Sequence, residues 1–284
     1  MFKKIFFVTA LLLASLLSAK PVVIASIAPV GYLAKAVGGD KIEVQSLAKG
    51  DVHSYEPKPN DMKAVAKARI FIAAGLEFEE AWIPRFKASA KNLVVVKSDA
   101  KIAKLKEERG EQAEHDEKHE AHADPHVWLN PMLAITMARN ISDALIDMDK
   151  ANKDFYLENF QKLMNDLLAF DESAKESLAG LKNRKFVVYH PAWGYFAAHY
   201  DLEQISIERS GKEPKIDEMA STLKMIKDEN IKVIFADPNR SQKSAQILAS
   251  QTGAKVELLD PLGYNLLENL KIAVGAIKDA NSPK

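Results

Sequence analysis

The stretch FYLENFQKLMNDLLAFDESAKESLAGL, residues 155–181, decides how this chain is divided. Its apolar positions Phe160, Leu163, Leu167, Phe170, Ala174, Leu178 and Leu181 recur every three or four residues, the period of a helix that buries one face. At 1.5 Å per residue the stretch predicts a rod about 40 Å long. It closes a region, Met132 to Leu181, that carries no strand signal. Asn130-Pro131 opens that region, and proline is suited to a first helical turn. We read the rod as a rigid connector running along two domains, against the alternative of a core helix belonging to one. Lobes joined by such a strut hinge less widely than lobes joined by loose strands.

On both sides of the connector, short Val/Ile-rich runs alternate with helical stretches. Before it come PVVIASI, KIEVQSL, ARIFIAA and NLVVVK; after it come KFVVYH, LEQISI, IKVIFAD and AKVELLD. Each is bounded by Gly, Asp, Asn or Pro, as buried parallel strands tend to be. Helices are expected at 29–37, 60–67, 79–90, 216–229, 242–251 and 265–278. Alternation of this kind implies βα units and parallel sheets flanked by helices. The expectation is therefore an α/β chain of two four-stranded halves: an N-terminal lobe over 20–131, a helical region over 132–181 and a C-terminal lobe over 182–284. No sequence repeat relates the halves.

The first nineteen residues are set apart. Lys3 and Lys4 precede an apolar run from Ile5 to Leu17, and small residues Ser18 and Ala19 follow. That is the plan of a secretory signal peptide cleaved near Ala19, and the run is too short for a membrane anchor. The 284 residues include no cysteine, which excludes disulfides, thiolate ligands and a lipid-modified cysteine on this chain. Lysine and arginine together number 39, as do the acidic residues, and no basic stripe reads as a nucleic-acid surface. An exported, monomeric protein is expected.

Four residues of metal-ligand type stand where loops leave strands or enter helices: His53 in DVHSYEPKPND, His126 in DPHVWLNP, His190 in FVVYHPAWGYFA and Asp260 in VELLDPLG. They are 73, 64 and 70 residues apart, so only a folded two-half architecture brings them together. Imidazole and carboxylate suit divalent transition metals, and in open α/β sheets ligands bind beyond the carboxyl ends of the strands. Two candidates come from each half, which points to one ion in the cleft. Asp237, in FADP, competes with Asp260 for the carboxylate role. The charged segment 104–124 adds His115, His119 and His122 at helical spacing, an auxiliary metal loop or a plain solvated one. His199 is expected near the end of a short helix and outside the site.

These segments resemble those of the metal-binding receptors of bacterial ABC importers that take up zinc and manganese. DVHSYEPKPNDMKAVAKARIFIAAGLEFEEAW is similar to the family's first-ligand segment, DPHVWLNP to its second, FVVYHPAWGYFAAHYDL to its third and AKVELLDPLG to its C-terminal aspartate segment. The resemblance covers nearly all of the chain after residue 19. It implies two (β/α)4 lobes joined by one long rigid helix, metal in the interlobe cleft, and delivery to a membrane permease with a cytoplasmic ATPase. It carries the ligand roles to His53, His126, His190 and Asp260. Manganese-type members usually place a carboxylate where this chain has His190, and three neutral imidazoles favour Zn2+ over the harder Mn2+. A zinc-dependent hydrolase is the alternative from another class; the chain has no H-E-x-x-H motif and no evident general base beside a ligand. An adhesin or zinc store is a third.

Overall fold

The structure is a computed structural model and describes residues 20–106, 123–208 and 215–281. The signal-peptide segment and His115, His119 and His122 lie outside the described residues.

The first half is built from β1 (Val22–Ala25), α1 (Ala28–Gly38), β2 (Glu43–Ser46), α2 (Pro59–Val65), β3 (Ile70–Ala73), α3 (Glu77–Ser89) and β4 (Val94–Lys97). Its four strands are all parallel, in the order β2-β1-β3-β4. The second half contains β5 (Lys185–Val188), β6 (Glu203–Ser206), β7 (Val233–Ala236) and β8 (Lys255–Leu258), again parallel, in the matching order β6-β5-β7-β8. The inner strands β1, β3, β5 and β7 are buried almost throughout. The edge strands β2, β4 and β8 expose much of their length, because one flank has no partner strand to cover it. In each sheet the chain order reverses between the two inner strands, and this is where a crevice opens at their carboxyl ends.

Between the sheets run α4 (Pro131–Met148) and α5 (Lys153–Ala179). Asn130 caps α4, its Oδ1 accepting the N–H groups of Met132 (2.9 Å) and Leu133 (3.3 Å). A 3-10 turn at Lys150–Asn152 separates the helices. The 27 residues of α5 span about 40 Å. The buried face of α5 is the one its spacing predicts: Phe160, Leu163, Leu167, Phe170, Ala174 and Leu178. It packs on α1 of the first half and on α9 (Leu266–Asn281) of the second. Gly39, at φ +53°, ends α1 where an added Cβ would meet the Phe155 ring at 2.8 Å.

One consequence is energetic. The largest apolar cluster runs unbroken from Val23 through α4 and α5 to Ile277, while each sheet keeps a smaller cluster on its far face. The lobes therefore share a core along the strut. The remaining helices, α6 (Gly194–His199), α7 (Ile216–Asp228) and α8 (Lys243–Thr252), complete the second lobe. His199 ends α6 and binds Asp171 of α5 through Nε2 at 2.6 Å, away from the crevice, as its sequence context suggested.

Candidate metal centre

The loop that carries His53 begins at Gly50, whose φ of +84° turns the chain sharply. Asp51 then fixes the loop: Oδ1 accepts the His53 N–H at 3.2 Å, and Oδ2 accepts the Ser54 hydroxyl at 3.0 Å. His126 sits at the entrance to the 3-10 turn Val127–Leu129, just before α4. Asp124 Oδ1 accepts both its backbone N–H, at 2.9 Å, and its ring Nδ1–H, at 2.7 Å. His190 lies two residues beyond β5. Val188 pairs with Ser206, so the parallel register sets His190 beside Glu208, and Nδ1 bonds Oε2 at 3.0 Å.

The three imidazoles meet. Their ring centroids are 5.4 Å (His53–His126), 5.1 Å (His53–His190) and 5.2 Å (His126–His190) apart. One ligand nitrogen from each ring lies within 4.8 Å of the other two. His126 and His190 are only 4% and 6% exposed. An ionised carboxylate only accepts, so Asp124 and Glu208 hold the Nδ1 hydrogens and leave Nε2 of both rings as a lone pair. Nε2 of His53 and of His190 are buried with no hydrogen-bond partner among the described residues. Buried polar atoms without partners are uncommon, and lone pairs turned on a common point suit a cation.

Burial, with the neighbouring His126, His190 and Arg240 charges, pushes the His53 ring down to about 3. Burial, then His126 and Arg240, holds His190 well below the usual imidazole range. Both rings are thus neutral, the state that ligates metal. Burial acts to raise the Asp51 carboxyl, but Arg240 and the His53 N–H outweigh it and hold the group below its ordinary value.

Asp260 is not among the residues whose ligand atoms converge. Asp260 Oδ1 accepts the Leu262 N–H of its own loop at 2.8 Å and the side-chain N–H of Asn239, in the loop after β7, at 3.0 Å. Asp237 is bound the same way, with Oδ1 accepting the Asn239 N–H at 2.7 Å. Proline after each aspartate marked a strand end, and that signal does not say where the carboxylate points. The sequence reading also passed over Asp124, Glu208 and Arg240. Asp124 stood two residues before His126. Glu208 was legible only from strand register.

Two (β/α)4 lobes on a long helix, with three imidazoles converging between them, have the architecture of a helix-linked solute-binding receptor. The family comparison gives the narrower class. The family described as ZnuA, the periplasmic component A of a zinc-uptake complex, matches residues 23–280, and the chain belongs to it. The High-affinity zinc uptake system protein ZnuA of Bacillus subtilis (strain 168) is 30% identical over 279 residues, covering 91% of this chain and 86% of its own. A crystal structure of ZnuA superposes with a TM-score of 0.87 at 34% identity, covering 93% of this chain and all of that one. A ZnuA deletion mutant with zinc bound gives 0.86 at 34%, covering 93% and 99%. Among the described residues no helix is long and apolar enough to cross a membrane.

Proposed function

We propose that this protein captures Zn2+ in the periplasm, after export by a signal peptide cleaved near Ala19, and delivers it as a monomer to the permease of an ABC importer with a cytoplasmic ATPase. The proposed ligands are His53, His126 and His190. The supporting observation is the pair of buried, partnerless Nε2 atoms meeting a third imidazole, with Asp124 and Glu208 behind two of the rings. Three imidazole nitrogens, with no carboxylate converging on them among the described residues, favour zinc over manganese, which prefers oxygen. Asp260 acts as a loop-ordering residue in this reading. The lobes are assigned to 20–131 and 182–284, with 132–181 between them. His115, His119 and His122 are assigned an auxiliary role in gathering zinc.

The test is metal content and competition by native mass spectrometry on protein purified from its export compartment. One zinc per chain, not displaced by excess manganese, is expected. Predominant manganese with zinc a weak competitor would overturn the metal. Growth under zinc chelation after gene deletion tests transport; unimpaired growth in a strain without another zinc importer would favour storage or adhesion instead.

A further inference from the structure

Arg240, in the turn after β7, is a largely buried cation beside a site proposed for another cation. Its guanidinium meets carboxylates from both lobes. Nη1 donates to both oxygens of Glu208 at 2.9 and 3.0 Å, Nη2 donates to Asp51 Oδ1 at 2.8 Å, and Nε lies 3.9 Å from Asp237 Oδ2. Two of those carboxylates already serve the histidines. Asp51 Oδ1 accepts the His53 backbone N–H, and Glu208 Oε2 accepts from His190 Nδ1. One guanidinium therefore fixes the carboxylate that holds the His53 loop and the carboxylate that orients the His190 ring, on opposite sides of the cleft.

Charge and geometry predict opposite signs for its effect. As a charge, Arg240 repels a divalent ion, so its removal should tighten binding. As a planar fork, it holds three oxygens at set angles, and its removal lets the His53 loop and the His190 ring turn away. Buried neighbours that orient metal ligands commonly matter 10- to 100-fold in affinity, and a loose ligand set loses more than relief of one repulsion restores. We propose that Arg240 is a positioning residue for zinc capture: it locks the His53 loop of one lobe to the Glu208–His190 pair of the other. The proposal rests on reading the histidine triad as the zinc site. Lysine keeps the charge but is a point donor that does not reproduce the fork.

The experiment measures zinc affinity by chelator competition, and the visible spectrum of the Co2+-loaded protein, for the wild type, Arg240→Lys, Arg240→Ala, Asp51→Ala and the Arg240→Ala/Asp51→Ala double variant. Both Arg240 variants should bind zinc about 10- to 100-fold more weakly and show an altered cobalt spectrum. The double variant should lose little more than either single one, because both substitutions break the same link. Wild-type affinity and spectrum in Arg240→Lys, or tighter zinc binding in Arg240→Ala, would overturn the assignment. If Arg240→Ala does not fold, Arg240→Lys decides alone. Failure of the wild type to bind zinc would instead bring down the triad reading.

Discussion

At the scale of single residues, the proposed site is three imidazoles, of which burial keeps two, His53 and His190, neutral. His53→Ala, His126→Ala and His190→Ala should each weaken zinc binding by more than the 10- to 100-fold typical of residues that only orient ligands. Asp260→Asn should leave affinity within a few-fold of wild type, because its carboxylate is engaged by Leu262 and Asn239. Chelator competition checks both, and a loss in Asp260→Asn as large as in the histidine variants would contradict the site as drawn. Three ordinary histidines would release close to three protons on binding zinc at about pH 5.5. With His53 and His190 already neutral, the imidazoles should release no more than about one. Calorimetry in buffers of different ionisation enthalpy counts them. The convergence of His53, His126 and His190 was legible because each histidine sits beside turn residues at a strand or helix boundary. Glu208 was not, since its place beside His190 follows from a pairing between strands that sequence does not display. Arg240 was hidden for a similar reason: two of its partners lie 32 and 189 residues away.

At the scale of elements, the helix period carried most of the information. The stripe on α5 set its buried face, and the Val/Ile runs located all eight strands. What spacing did not reveal was the break at residues 149–152, where a 3-10 turn separates α4 from α5. Nor did it tell edge strands from inner ones, since that depends on sheet order. The strut can be tested by cavity. Leu167 is fully buried on α5, so Leu167→Ala should cost about 2–5 kcal/mol of unfolding free energy. Leu168, one position on and 40% exposed, should tolerate alanine within roughly 0.5 kcal/mol. Equal losses in urea denaturation would mean that the buried face is drawn wrongly.

At the scale of the whole molecule, acid and zinc act on one equilibrium. The folded His53 and His190 rings sit below their unfolded value near 6.5, so above that pH both states are neutral and the rings cost nothing. As pH falls toward about 3 the unfolded chain takes protons that the folded chain refuses, and stability declines. The melting temperature of the metal-free protein should therefore drop between pH 7 and 4, and less steeply in His53→Ala; parallel curves would remove the histidines as the cause. Zinc should add about 2.7 kcal/mol when free metal is a hundred times the dissociation constant. Because the lobes share a core along α5 and are bonded across the cleft by Asp51–Arg240 and Trp128–Pro261, zinc should leave the radius of gyration in small-angle scattering unchanged.

Trp128 gives the molecule a built-in optical gauge. Its indole is fully buried, its centroid is 5.2 Å from the His126 ring, and its Nε1–H is tied to the Pro261 carbonyl of the opposite lobe. A cation taken up at the proposed site should therefore change the ultraviolet emission of the indole, so that cargo loading would be followed in real time without attaching a dye.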